Sequence, residues 1–229
     1  MNNVRRLEPI HLKSLRDHVH DTLREAIIAG RFRTDEKLNE RQLAADLGIS
    51  TTPLKEALRQ LETEGLVRTE ARRGSYVTFN ARQAEEMMLA RAALESVMAR
   101  QAARHASEAE IDLMKTHIEQ MRAALKAADI TRLIELNEHF HDTIHLASNC
   151  EYLRRLQNGQ RMYDHAARVA VLADEGERVR SFAEHEAIML AIAERNEEEA
   201  ERLMREHVML AGEKHLTTVF SYTPAEKRK

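Results

Sequence analysis

Residues 38–80 read LNERQLAADLGISTTPLKEALRQLETEGLVRTEARRGSYVTFN, and this stretch decides the fold of the first part of the chain. Apolar residues recur in it at helical spacing before and after Gly48, which predicts two short helices separated by a turn. Ser50 is expected to cap the second helix. Two extended runs, Leu66–Thr69 and Ser75–Phe79, follow around a basic turn. Helix, turn, helix and basic hairpin together predict a winged helix-turn-helix.

Cationic and hydrogen-bonding residues occupy the two places where this fold would meet duplex DNA. A recognition helix presents its N-terminal residues to base edges in the major groove, while a hairpin reaches phosphate or the minor groove. The residues at these two places are Ser50, Thr51, Thr52 and Lys55 on the helix, and Arg72 and Arg73 in the hairpin turn. A winged helix used for protein contacts is the alternative, but basic residues at both contact points favour DNA.

The run from Leu38 to Val67 resembles the signature of GntR-family transcription regulators, and the resemblance extends through nearly the whole N-terminal domain. It implies operator-DNA contacts by Arg41, Thr52, Lys55, Arg59, Arg72, Arg73 and Gly74. The family often has arginine where this chain has Thr51 and Lys55. Because lysine lacks the planar fork that grips guanine at two points, the resemblance does not extend to base specificity at these positions.

Composition predicts a soluble, mainly α-helical protein of two domains. Of the 229 residues, 43% are hydrophobic and 32% charged, with only 7 Gly and 3 Pro. The single cysteine, Cys150, excludes an internal disulfide framework. No apolar run resembles a signal peptide or reaches membrane-spanning length, so a cytoplasmic protein without a membrane partner is expected. Residues 1–80 hold 14 basic against 12 acidic side chains, a balance that indicates placed DNA contacts by a dimer rather than non-specific coating.

Three segments are expected along the chain. They are a winged helix-turn-helix domain over residues 1–80, an all-α helical bundle over 81–220 and a disordered tail over 221–229. The first helix is predicted at Leu12–Ala29. The bundle is predicted to contain about six helices, at Arg82–His105, Glu108–Ala127, Ile130–Ser148, Tyr152–Leu172, Glu177–Arg195 and Glu197–Val219.

Three histidines of the predicted bundle lie on apolar helix faces. His141, His185 and His207 each have apolar neighbours three and four residues away, so each is expected to point inward from a different helix. Buried imidazoles need polar partners, and a divalent metal supplies one. A core histidine satisfied by other side chains is the alternative at each position, since periodicity does not show that the three meet. His145, one turn after His141, is either an accessory ligand or a core residue.

The bundle resembles the FCD type of effector domain found in the FadR-like branch of the GntR family. The matching stretches are NEHFHDTIHLASN over residues 137–149, EHEAIMLAI over 184–192 and MREHV over 204–208. The resemblance implies dimerisation, and a divalent ion of the zinc, nickel or manganese class, zinc first, held by Asn137, His141, His185 and His207. Asn137 stands where the family usually has an aspartate, so one negative charge is missing from the metal site. Either the metal binds more weakly, or an anionic ligand supplies the missing charge.

Two arginines are candidates for binding an effector. Arg91, in the R-x-x-L-E stretch that ends at Glu95, resembles a position facing the family's effector cavity, and Arg161 could pair with a carboxylate. The alternative for both is an ordinary ion pair.

The expected function is that of a homodimeric, DNA-binding transcriptional regulator, and not of an enzyme. It is expected to repress, with its operator affinity controlled by an organic acid bound at or near the metal. A metal-responsive regulator is the alternative. A metalloenzyme with an accessory DNA-binding domain is remote, because Glu138 with His141 is the only Glu-x-x-His pair among the candidate histidines.

Overall fold

The computed structural model describes residues 14–159 and 161–220, without the side chains of Arg161 and Met162. The described residues divide into two compact units, one containing residues 14–27 and 31–79, the other containing residues 28–30, 80–159 and 161–220. The predicted disordered tail, 221–229, lies outside the described residues.

The first unit is the predicted winged helix-turn-helix. Its elements are α1 (Leu15–Ile28), β1 (Lys37–Leu38), α2 (Glu40–Asp46), α3 (Thr51–Thr63), β2 (Val67–Glu70) and β3 (Gly74–Val77). The strands form one antiparallel sheet in the order β1, β3, β2. The sequence did not predict β1, because two residues are too few to show the alternation of a strand. Helix α3 buries the expected stripe, formed by Leu54, Ala57, Leu58 and Leu61.

Ser50 occupies the N-cap position of α3, but its side chain makes no capping hydrogen bond. The predicted capping bond is therefore wrong, although the position is right. Ser50 is exposed, so its hydroxyl is left to face solvent or a ligand.

A charged network joins α1 to the C-terminal end of α3. The carboxylate of Glu64 accepts hydrogen bonds from His20 Nε2 at 2.7 Å and from Arg24 Nε at 2.8 Å. The hydrogen bond to Glu64 raises the pKa of His20 against the opposing effect of burial. Burial would raise the pKa of Glu64, but the bonds from His20 and Arg24 lower it overall. The charged pair thus favours the folded state of the first unit.

This network predicts a pH dependence of stability. Because the pKa of His20 is raised on folding, its contribution is fully present below the unfolded value of 6.5 and is lost as pH rises through the folded pKa. We expect the parent to be more stable than His20→Gln at about pH 6. The difference in their free energies of unfolding should be smaller at about pH 9. Urea unfolding of both proteins at the two pH values measures this difference. A difference that does not change with pH would contradict the assignment.

The second unit is all-α. Its helices are α4 (Ala81–His105), α5 (Glu108–Lys126), α6 (Ile130–Ala147), α7 (Glu151–Asn158), α8 (Arg161–Ala173), α9 (Glu175–Ala193) and α10 (Glu197–Phe220). None of the described helices combines the length and apolar character needed to cross a membrane. Phe140, Ile144, Met114 and Ile118 are among the buried residues of its core. Helices α4 and α10 pack closely at Gly212, where a methyl group would overlap the side chain of Met88.

The predicted helix Tyr152–Leu172 is two helices, so the estimate of about six helices in this unit was too low. Helix α7 ends at Asn158, and the backbone N–H of Gly159 bonds back to Leu156 and Gln157 in a tightened last turn. Helix α8 begins at Arg161. Many helices contain a single glycine, so the helical pattern alone does not show that the helix ends near Gly159.

Candidate functional site

The predicted DNA-contacting residues lie on exposed parts of the first unit. Ser50, Thr51, Thr52, Lys55 and Arg59 are all exposed, at the start and along the outer face of α3. The opposite face of α3 is buried against the unit, whereas these residues are exposed. This face of the helix can therefore enter a groove of DNA.

The hairpin between β2 and β3 places its arginines beside the helices. Arg72 and Gly74 line a groove together with Lys55 and Arg59, and they line a second one together with Arg41 and Arg73. Within the described part of the chain Arg72 makes no ion pair, whereas Arg73 Nη1 lies 2.8 Å from Glu70 Oε2. Arg72 is thus the arginine of the turn whose charge the described residues do not neutralise.

The hairpin tip has a backbone that the sequence motif did not reveal. Arg72 has a φ of 63° and Gly74 a φ of 104°, both in the left-handed region. That region is open to glycine and unusual for other residues, so the tip holds Arg72 in one uncommon conformation. Lys37, which no sequence pattern singled out, lines the second groove because β1 pairs with β3.

Three histidines from three helices meet in the interior of the second unit. His141 of α6, His185 of α9 and His207 of α10 each offer a ring nitrogen, and these nitrogens all lie within 4.8 Å of one another. His141 Nε2 and His185 Nε2 are 3.3 Å apart. Two ligands at about 2.1 Å from a tetrahedral ion lie about 3.4 Å apart, so the separation suits a shared metal. We call these three residues the histidine centre.

Two carboxylates orient the rings of the histidine centre. Glu95 Oε2 accepts a hydrogen bond from His141 Nδ1 at 2.6 Å, and Glu184 Oε2 accepts one from His207 Nδ1 at 2.7 Å. A proton held on Nδ1 leaves the lone pair of Nε2 available, as in metal sites where a carboxylate supports the ligating histidine. Sequence reasoning singled out neither glutamate, although Glu95 ends a quoted motif and Glu184 precedes His185.

Burial keeps His141 and His185 of the histidine centre neutral. It lowers the pKa of His141 to about 3, against the opposing charge of Glu95. It lowers the pKa of His185 well below its ordinary value, and the neighbouring His207 and His141 act in the same direction. Neutral imidazoles are the form in which histidine binds a metal.

Asn137 lies beside the histidine centre with its amide nitrogen toward the rings. Its Nδ2 is 3.3 Å from His185 Nε2, while its Oδ1 accepts a hydrogen bond from Arg168 Nε at 2.5 Å. The guanidinium only donates, so it requires the oxygen on its own side. The amide oxygen that would replace the family's aspartate is therefore engaged by Arg168. No motif in the sequence pointed to this arginine.

Arg91 is buried in an ion pair. Its Nε lies 2.6 Å from Glu95 Oε1 and 3.0 Å from Asp164 Oδ1. Burial raises the pKa of Asp164 to about 6 although Arg91 opposes the shift. Arg91 and Arg168 both line a cavity of about 10 Å³ that also reaches His207 and Ser181, which we call the arginine cavity. The side chain of Arg161, the other predicted effector ligand, lies outside the described residues.

Two family models match the chain in succession. "Bacterial regulatory proteins, gntR family" matches residues 15–77, and "FCD domain" matches residues 86–209. The chain belongs to the GntR family, in the branch that carries an FCD domain. It is a DNA-binding transcriptional regulator and not an enzyme, as residues 38–80 predicted.

Relatives of this GntR-family chain span most of its length. It is 31% identical to the Nta operon transcriptional regulator of Aminobacter aminovorans, over 79% of this chain and 85% of the relative. It is 24% identical to the HTH-type transcriptional repressor RspR of Escherichia coli (strain K12), over 85% of this chain and 86% of the relative. Among solved structures, E. coli McbR/YncC shares its fold with a TM-score of 0.65 and 19% identity, covering 87% of this chain and 95% of that one.

Proposed function

We propose that this GntR-family regulator is a homodimeric repressor, with operator DNA bound by residues 1–80 and a small carboxylate bound by residues 81–220. The observation that supports the effector site most directly is the histidine centre, whose three rings each offer a nitrogen within 4.8 Å of the others, with two arginines close by. Repression is proposed because relatives of similar length, RspR and GlaR of E. coli, are described as repressors.

His141, His185 and His207 are the residues that would hold a divalent ion. Three imidazoles, two of them supported by carboxylates, match the donor set that zinc and nickel prefer. A bound ion would supply positive charge and an open coordination position for a carboxylate. The buried arginines Arg91 and Arg168 would add charge-assisted hydrogen bonds on the side of the arginine cavity.

The size of the arginine cavity suggests how effector binding would be coupled to DNA. A volume of about 10 Å³ has room for about one water and not for an organic acid. An acid can enter only if side chains such as Arg168 move, which breaks the bond to Asn137 Oδ1. An effector that binds a rearranged bundle shifts the population toward it, and operator affinity changes by the same linkage.

Two copies of the winged helix are proposed to read one operator. The first 80 residues hold 14 basic against 12 acidic side chains, so one copy offers few contacts beyond those of α3 and the hairpin. Two copies related by a two-fold axis double those contacts and match inverted half-sites one helical turn apart.

Operator binding in the presence of different ligands tests the proposal. Operators are first recovered from fragmented genomic DNA, and their affinity is then measured with metal-free protein, with zinc-loaded protein and with zinc plus a panel of mono-, di- and tricarboxylates. A change in affinity produced only by zinc with one class of acid supports the proposal. Affinity that no acid alters in zinc-loaded protein would refute carboxylate control.

A metal-responsive regulator is the second candidate, favoured by the contact between Asn137 and Arg168. Asn137 carries no charge and its amide oxygen is occupied by Arg168, so a metal receives neither an anion nor an oxygen ligand from this position and is expected to bind reversibly. In the same assay, operator affinity that responds to zinc alone and is indifferent to acids would assign this function.

Replacing Asn137 with aspartate should strengthen metal binding. The substitution places a negative charge beside the three imidazoles, and we expect zinc affinity to rise by about tenfold, the effect of about 1.4 kcal/mol. Competition with a chromogenic chelator measures the change. Asn137→Leu, similar in size but unable to coordinate, serves as the control and should show no gain. Equal affinities in parent and Asn137→Asp would show that Arg168 neutralises the new charge.

A further inference from the structure

A second cavity, of about 30 Å³, lies among α4, α6, α7 and α8. We call it the carboxylate cavity, because Glu95 and Asp164 line it together with His145 and Gln157. Of the histidine centre, His141 lines it, whereas His185 and His207 do not. Exposed Asn158 also lines the cavity, so it has a side near solvent.

Polar atoms at the carboxylate cavity lack partners. Gln157 Nε2 donates to Glu95 Oε1 at 3.2 Å and to Asp164 Oδ2 at 2.8 Å, while Gln157 Oε1 is buried without a hydrogen-bond donor among the described residues. His145 Nε2 is also buried without a hydrogen bond in that part of the chain, and lies 3.4 Å from Glu95 Oε2. Leaving such groups unpaired in the interior is unfavourable, so a ligand that pairs them is stabilised by removing that cost.

The charge around the carboxylate cavity is negative. Glu95 and Asp164 are 1% and 6% exposed, and both pair with the same guanidinium, that of Arg91. The lining holds four carboxylates, those of Glu95, Glu138, Asp142 and Asp164, and one guanidinium, that of Arg168. Arg91 supplies a second cation beside Glu95 and Asp164, so negative charge is still in excess. A buried charge without a counter-charge is costly, so the cavity favours a cation over an anion or a neutral acid.

We propose that the carboxylate cavity binds a divalent cation, at a site that adjoins the histidine centre at His141 but includes neither His185 nor His207. Its ligands are Glu95 and His145, whose ligand atoms lie within 4.8 Å of each other, together with Gln157 Oε1 and the carboxylate of Asp164, which line the same cavity. Oxygen atoms predominate in this set, which selects a cation such as Mn²⁺ or Mg²⁺ over zinc. The cavity volume matches one ion with little room for a larger ligand.

The cation would act on the histidine centre through Glu95. The Oε2 atom of this carboxylate accepts the hydrogen bond from His141 Nδ1 and also faces His145. A cation bound to Glu95 draws electron density from the carboxylate, so its Oε2 accepts the hydrogen bond from His141 less strongly. His141 then becomes a weaker metal ligand. Occupancy of one site thereby lowers the affinity of the other, and the effect is reciprocal by linkage.

Manganese binding to the full chain tests the site. The histidine centre is first filled with one equivalent of zinc, and Mn²⁺ is then titrated while the free ion is followed by electron paramagnetic resonance. We expect one saturable Mn²⁺ per chain. A double variant, His185→Ala with His207→Ala, should also bind one Mn²⁺, and more tightly than the zinc-loaded parent, because its histidine centre is empty. The site is therefore measured even if the histidine centre takes no zinc. Absence of bound Mn²⁺ in both proteins would overturn the proposal.

Two substitutions should change Mn²⁺ affinity in opposite directions. His145→Ala removes a ligand and should weaken binding by about tenfold, while Gln157→Glu adds a carboxylate and should strengthen it by a similar factor. His139→Ala, an exposed position on the same helix, is the control and should bind as the parent does. Gln157→Glu should also gain thermal stability from Mn²⁺, which keeps the test decisive if His145→Ala does not fold. Equal affinity in all four proteins would overturn the assigned ligands.

Discussion

Replacing His185 or His207 with alanine is expected to reduce zinc binding at least about a hundredfold. Each substitution removes one of three nitrogen ligands, and loss even of a group that supports a ligand typically costs 10–100-fold. The two rings are 1% and 4% exposed and come from different helices. His215, the other histidine of α10, packs against Tyr163 instead. Metal content after dialysis against a fixed zinc concentration, and competition with a chelator, measure the loss.

The controls separate a lost ligand from a lost fold. His139→Ala removes an exposed imidazole from α6 and should leave metal content unchanged. His185→Gln keeps a polar side chain of similar size in the same place, and should lose zinc while remaining helical by circular dichroism. Equal zinc in parent, His185→Gln and His207→Ala would mean that the histidine centre is a packed core cluster.

Replacing Lys55 and Arg72 with alanine is expected to weaken operator binding about tenfold or more for each residue. Both side chains are exposed and line the same groove between α3 and the hairpin. A cation that contacts phosphate releases a counterion, so each substitution should also reduce the slope of log affinity against log salt by about 1. Fluorescence anisotropy of a labelled operator at several salt concentrations measures both quantities.

The pattern across operator variants distinguishes the roles of the two residues. Loss of a phosphate contact weakens every sequence to the same extent, whereas loss of a base contact relaxes preference at one position. Lys115→Ala removes an exposed cation from the FCD domain and is the charge control. Affinity and salt slope unchanged in both Lys55→Ala and Arg72→Ala would remove α3 and the hairpin from the DNA interface.

Local patterns predicted the helices of both units, because spacing of apolar residues shows which face of a helix is buried. Leu54, Ala57, Leu58 and Leu61 were recognised in this way and are buried in the structure. The same reasoning missed β1, which has only two residues, and the break at Gly159, which a helical pattern tolerates. Both features are too short to be recognised from a periodic pattern, which needs several residues on either side.

The sequence by itself determined the order of the two domains, the GntR resemblance and the inward faces that carry His141, His185 and His207. Only the tertiary structure decided that these three rings share one point, that Arg168 holds the oxygen of Asn137, and that Gln157 joins Glu95 to Asp164. The reason is that helical periodicity specifies the face of one helix. The rotation and offset of one helix against another depend on side chains far apart in the chain, such as Met88 and Gly212, which meet only when the bundle packs.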